Sequence, residues 1–167
     1  MAGLSGGNDN LYLYSMIKTA QLSGYKCVVI NFRGTSGTIL TSPTIYWIST
    51  WKDLKEPFEY IHQKYCGAGG QDLQYLKRNI YAYSVSLGAG MLARYVINSG
   101  DQCVLSGVLV YGLFINIMDN VSYFKNTGMK FYDKAIGFNY YLILKGHEKE
   151  MRLHLGEEQA QAFYSKL

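Results

Sequence analysis

The sequence predicts an α/β fold of parallel strands joined by crossover helices, followed by the start of a wholly helical segment. Three observations predict it. Short apolar runs rich in β-branched residues occur at Cys27–Phe32, Asn79–Val85 and Val104–Phe114. Helix-like segments separate them. The strand signal then vanishes from Asp119 onward, where aromatic, helix-like sequence leads into the charged tail HEKEMRLHLGEEQ. Apolar runs of this length suit strands buried on both faces of a parallel sheet.

A helix is expected from about Asn10 to Leu22, because Leu13, Ile17 and Ala20 share a face and Gly24 supplies a stop. The Cys27–Phe32 run is the first expected strand, and a Gly-, Ser- and Thr-rich loop follows from Arg33 to about Pro43. A second helix is expected from about Ser49 to Tyr65, with Pro57 bending or splitting it. Gly67–Gln71 reads as a flexible surface turn. Asn79–Val85 is the next strand, Leu87–Asn98 the helix behind it and Val104–Phe114 the third apolar run.

Composition narrows the function. The 167 residues are 49% hydrophobic and 17% charged, the balance of one globular domain. The 16 tyrosines suit half-buried surfaces and cleft walls, which is compatible with a lipid-like substrate; an aromatic-rich core is the plainer account. The net charge of +4 is spread over scattered lysines and arginines, with no basic run that would point to nucleic acid. It is compatible with weak attraction to an anionic membrane surface. No apolar run approaches the roughly 20 residues needed to cross a bilayer. MAGLSGGNDN has neither the basic nor the apolar part of a signal peptide. Cys27, Cys66 and Cys103 show no metal-ligand spacing and suggest no disulfide framework, so no metal or cofactor is expected. Cys27 and Cys103, beside or within apolar runs, read as buried inert thiols, and a reducing intracellular compartment fits them.

The most informative stretch is Tyr83-Ser84-Val85-Ser86-Leu87-Gly88-Ala89-Gly90. A polar residue stands where a buried strand turns directly into a helix, between very small neighbours. A nucleophile elbow needs this pattern, because the serine occupies a strained turn and residues two positions away must not collide with it. The helix N-terminus behind it favours developing negative charge. Two other readings are open at this level. Ser86 could simply cap the helix. Gly88-Ala89-Gly90-Met91-Leu92-Ala93 also fits a G-x-G-x-x-A dinucleotide turn, but Val108–Gly112 lacks the acid such a site wants, which argues against a nucleotide.

Several segments in order resemble one family of α/β-hydrolases that includes acylglycerol lipases, phospholipases and short-chain esterases, often with an N-terminal membrane anchor. Gly3-Leu4-Ser5-Gly6-Gly7 resembles its H-G-L-[TS]-G-G oxyanion loop. Asn31-Phe32-Arg33-Gly34 with Leu40-Thr41-Ser42-Pro43 is similar to its N-x-R-G…L-T-[ST]-P segment, and Asp53-Leu54 to the D-L opening its next helix. Ser86-Leu87-Gly88-Ala89-Gly90 is similar to its G-x-S-L-G-G-N elbow, and Phe131–His147 to the start of its helical lid. The resemblance implies a partial α/β-hydrolase fold, with a core fragment over residues 1–118 and the start of a cap over 119–167. It implies a serine hydrolase of acyl esters or lipids, with Ser86 as nucleophile and the backbone N–H groups of Leu4 and Leu87 as oxyanion donors.

The chain departs from the family at Ala2, where the family has histidine, and at Ser84, where it has glycine. The resemblance puts the triad acid and base beyond Leu167, so the chain is expected to be a truncated copy and inactive alone. Any membrane anchor would lie ahead of Met1. His62, His147 and His154 are expected to be solvated, and Asp119 is a better stand-in acid than Asp101, though neither is assigned. A missing central strand would leave unpaired backbone groups costing about 1–3 kcal/mol each, so the isolated chain is expected to be poorly soluble or molten. The alternative is a catalytically silent relative serving as a scaffold or interaction subunit.

Overall fold

The computed structural model describes residues 1–66 and 78–167. Helix α1 (Leu11–Leu22) buries Leu13 and half-buries Ile17 and Ala20, the face its spacing predicts. Gly24, at φ 84°, ends it in the left-handed region that glycine enters freely.

The next stretch corrects the expectation. Cys27–Phe32 joins no strand ladder among the described residues. An apolar β-branched run becomes a strand only when a neighbouring backbone accepts its hydrogen bonds, and here Val28 is exposed while Phe32 alone is buried. The second helix is also rearranged. A 3₁₀ segment, Ile48–Leu54, passes into helix α2 (Lys55–Tyr65) ahead of Pro57. Pro57 therefore sits in the first turn of α2, where a backbone N–H has no intrahelical acceptor to lose. The Gly67–Gln71 turn lies outside the described residues.

Strand β1 (Tyr81–Val85), helix α3 (Leu87–Ser99) and strand β2 (Gly107–Tyr111) form a β-α-β unit, with a short 3₁₀ turn closing α3. The strands are parallel, Tyr81 opposite Gly107 and Val85 opposite Tyr111, and they are the paired strands of the described residues. The architecture is thus α/β. The core sits where α3 packs on the Ile48–Leu54 segment and α2: Tyr46, Leu54, Met91 and Leu92 are fully buried, and Phe58 meets Tyr95 with ring centres 5.0 Å apart. Among the described tyrosines only Tyr46 and Tyr95 are buried, so this residue type serves mainly the surface rather than an aromatic core.

Beyond β2 the described chain is helical, as expected: α4 (Ile117–Asn126), α5 (Lys130–Gly146), α6 (Glu148–Leu155) and α7 (Glu157–Tyr164). Asn116 caps α4 by accepting the N–H groups of Met118 and Asp119 at 3.0 and 3.4 Å. Leu144, Met151 and Ala160 anchor α5, α6 and α7 inside, whereas α4 buries nothing. The three cysteines are free and half-buried, so Cys27 and Cys103 are less enclosed than their apolar neighbours suggested. Among the described residues, no helix is long and apolar enough to cross a membrane and no group of three metal-ligating side chains occurs.

Candidate active site

Strand β1 ends at Val85 and α3 starts at Leu87, so the whole reversal falls on Ser86, at φ 54° and ψ −120°. Such a backbone costs a non-glycine residue about 1–3 kcal/mol and persists only where its surroundings fix it. Here the Ser86 N–H donates to the Tyr111 carbonyl at 2.8 Å, and the Ser86 carbonyl accepts the Gly90 N–H at 3.1 Å. The side chain makes no cap hydrogen bond to α3, so Ser86 is not a helix cap. It is half-exposed, with its hydroxyl uncommitted among the described residues.

Small neighbours make this turn fit. A methyl group at Gly88 would overlap the Ala2 carbonyl oxygen, approach the Ser84 hydroxyl at 2.5 Å and meet the Phe32 ring at 3.2 Å. One at Gly90 would run into Ile48, with Cγ1 at 2.7 Å. Ser84 is fully buried, and its hydroxyl donates to the Met1 carbonyl at 3.3 Å.

The Gly3–Gly6 loop lies against Ser86. A Cβ at Gly3 would sit 3.1 Å from Ser86 Cβ and 3.7 Å from Ser86 Oγ. Two tyrosine hydroxyls hold this loop: the Gly3 N–H donates to Tyr12 at 3.0 Å and the Ser5 N–H to Tyr46 at 2.6 Å. The Gly6 N–H closes back on the Gly3 carbonyl at 3.2 Å. Leu4 stands between these tethered groups, and its N–H and that of Leu87, the first residue of α3, have no acceptor among the described residues. Tyr46 is buried and stacked on Phe32, ring centres 5.2 Å apart; burial pushes its phenol pKa up, against the pull of the Ser5 N–H. Ser5, Ser36 and Ser86 are the non-glycine residues with positive φ among the described residues, and Ser36 packs against Gly7 of the same loop.

A bidentate ion pair braces the next loop. Arg33 donates through Nε and Nη2 to Asp53, both at 2.6 Å, and through Nη1 to Ser42 at 3.0 Å. These residues, with Asn31 and Leu40, line an open cleft of about 530 Å³ that does not include Ser86.

His62 and His147 are half-buried rather than solvated as expected, whereas His154 is exposed, as expected, and is still tethered. His147 Nε2 lies 2.8 Å from the Gly34 carbonyl and His154 Nε2 lies 3.1 Å from the Leu40 carbonyl, fastening α6 and its start to the Arg33–Leu40 loop. His147 Nδ1 is buried without a hydrogen bond, 3.8 Å from Glu150 Oε1. His62 is half-buried on α2. Asp119 is exposed and takes a hydrogen bond from Asn116 Nδ2 at 2.6 Å. Asp101 lies past the far end of α3, about 20 Å along the helix from Ser86 at 1.5 Å per residue. No histidine or carboxylate among the described residues hydrogen-bonds Ser86. Sequence reading missed Tyr12, Tyr46 and Ser36, which act on the loop from a distance and carry no local signal.

The chain is 30% identical over 151 residues to Embryogenesis-associated protein EMB8 of Picea glauca, covering 89% of this chain and 31% of that protein. Phospholipase ABHD3 of Mus musculus is 28% identical over 113 residues, covering 68% and 25%. An abhydrolase domain-containing protein of Dictyostelium discoideum is 24% identical over 166 residues, covering 96% and 39%. The chain therefore spans between a quarter and two fifths of the length of these relatives. No family model and no solved structure matches it.

Proposed function

We propose that this chain, which belongs to the α/β-hydrolase superfamily, is the nucleophile-bearing part of a serine hydrolase acting on carboxylic acyl esters of lipid-like substrates. The observation that carries the reading is Ser86 itself: a strained residue between β1 and α3, hydroxyl uncommitted, facing the Gly3–Gly6 loop. Strain of this kind belongs to functional sites, where the surroundings hold a side chain out for reaction. In this reading Ser86 Oγ attacks the ester carbonyl, and the oxyanion that forms accepts the N–H groups of Leu4 and Leu87. Losing one such donor typically costs about 10²–10³ in rate, so the tyrosine tethers on either side of Leu4 matter to turnover. The lipid-ester class is supported by the mouse relative's name, phospholipase. The core at residues 1–118 and the helical cap at 119–167 belong to the same proposal.

One observation favours the silent-scaffold alternative: no base hydrogen-bonds Ser86 among the described residues. An alkyl fluorophosphonate separates the two, since it reacts only with activated serines. Protein isolated from its own cells should carry the label on Ser86 by peptide mass spectrometry, and Ser86→Ala should carry none. A natively folded protein left unlabelled would favour the scaffold.

A further inference from the structure

A path of contacts leads from the helices after β2 to the loop that faces Ser86, and it starts at His147, between α5 and α6. Its Nε2 lies 2.8 Å from the Gly34 carbonyl, across a sequence separation of 113. A carbonyl can only accept, so Nε2 carries the proton and donates it. Gly34 makes room for the ring: a methyl group there would lie 2.9 Å from Nε2 and 3.3 Å from Cδ2. The other ring nitrogen is left over. Nδ1 is buried without a hydrogen bond, and the Glu150 carboxylate stays 3.8 Å away. Buried polar atoms without a partner are uncommon, so the ring is kept for what Nε2 does.

From Gly34 the path is short and stiff. The Thr35 N–H and hydroxyl both donate to the Phe32 carbonyl, at 3.0 and 2.8 Å, and the Thr38 hydroxyl donates to the Thr35 carbonyl at 2.7 Å. Ser36, at φ 51°, packs on Gly7, where a methyl group would meet Ser36 Cβ at 2.9 Å. Beside it the Asn8 N–H donates to Asn31 Oδ1 at 3.1 Å. One residue before Gly7, the Gly6 N–H donates to the Gly3 carbonyl at 3.2 Å. That carbonyl and the Leu4 N–H belong to one planar peptide group, so whatever holds the carbonyl also aims the N–H.

We propose that His147 is a positioning residue for the Ser86 site: by donating to Gly34 it holds Ser36 on Gly7, and so aims the Leu4 N–H at the place where the oxyanion forms. The proposal rests on the reading of Ser86 as nucleophile and Leu4 as oxyanion donor.

The test compares His147→Gln, His147→Asn and His147→Leu in protein isolated from its own cells. The glutamine amide stands where Nε2 stood and can donate to Gly34. The asparagine amide, one methylene shorter, stands where Nδ1 stood and falls short, and leucine has no donor. The rate at which an alkyl fluorophosphonate labels Ser86 should fall at least about tenfold in the asparagine and leucine variants, because losing an oxyanion donor outright costs about 10²–10³. Glutamine should keep the rate within about twofold. Amide exchange at Gly6 and Asn8 should quicken in the asparagine and leucine variants and match the parent in the glutamine variant. Circular dichroism checks the fold, and the asparagine–glutamine pair decides the matter if leucine does not fold. The proposal is overturned if glutamine fails to rescue, or if exchange quickens only in α6 and the Arg33–Leu40 loop. A parent that takes no label overturns the nucleophile reading and this proposal with it; a labelled parent with a normal asparagine variant overturns this proposal alone.

Discussion

Replacing Ser86 with glycine removes a Cβ from a residue held at φ 54° and ψ −120°. The strain released is about 1–3 kcal/mol. Glycine's greater freedom in the unfolded chain returns about 0.5–1 kcal/mol of that. No side-chain hydrogen bond to the helix is lost, because none is made. The net is a stabilisation of about 1 kcal/mol, or roughly 2–4 °C in a domain of this size. Ser86→Ala keeps the Cβ and its strain, and should lie within about 0.5 kcal/mol of the parent. Urea and thermal unfolding followed by circular dichroism measure both variants, and native-state proteolysis compares them without needing a cooperative transition. A serine that merely capped α3 would behave oppositely: alanine would cost about 1 kcal/mol and glycine only a few tenths. If glycine destabilises, or if alanine costs as much as a lost cap, the strained-elbow account of Ser86 is wrong.

Tyr46→Phe keeps the stack on Phe32 and removes only the acceptor of the Ser5 N–H, so stability should fall by about 1 kcal/mol while amide exchange at Ser5 quickens. Unchanged exchange would show that the hydroxyl does not hold the loop. Gly88→Ala should cost about 1–3 kcal/mol, since the new methyl overlaps the Ala2 carbonyl oxygen. Adding Ser84→Gly should recover only part of this, and full recovery would remove the Ala2 carbonyl from the account. Hydrogen bonds from Lys145 and Arg152 hold the Glu148 carboxyl below its ordinary range. Its contribution is therefore present above the ordinary carboxylate pKa and lost as pH falls through the lowered one. Glu148→Gln should flatten the acid dependence of thermal stability, and an equal acid loss in the variant would contradict that.

The β1–α3–β2 unit was legible because its apolar runs bracket a helix in close succession and small residues flank Ser86, although the groups those small residues avoid, Ala2, Phe32 and Ile48, are distant in sequence. Cys27–Phe32 has an equally strand-like composition, but strand formation is a property of two segments, and no run of residues contains its partner. The same limit hid the histidines. A charged tail reads as solvated, and His154 is exposed, yet His147 and His154 both reach backbone carbonyls, of Gly34 and Leu40, more than a hundred residues away and made of atoms every residue has. Tyr12 and Tyr46 escaped notice for that reason too, since a hydroxyl that positions a loop looks like any other tyrosine. Arg33 and Asp53 were marked by resemblance, but their bidentate contact was not.

Ser84 is, with Ala2, a departure that favours a silent relative, and the packing around it weakens that inference. Its side chain is fully buried and occupies the space into which a Cβ at Gly88 would project, 2.5 Å from its hydroxyl. An extra side chain two residues before Ser86 is accommodated because the position two residues after it has none. The hydroxyl then finds an acceptor in the Met1 carbonyl, so burying it leaves no unsatisfied donor. The turn at Ser86 keeps its strained dihedral angles with serine at position 84. A scaffold needs neither that strain nor an uncommitted hydroxyl, and glycine at position 86 would serve it better. The strain falls on a residue whose hydroxyl is uncommitted among the described residues, which is what the proposed ester hydrolase would need at its nucleophile.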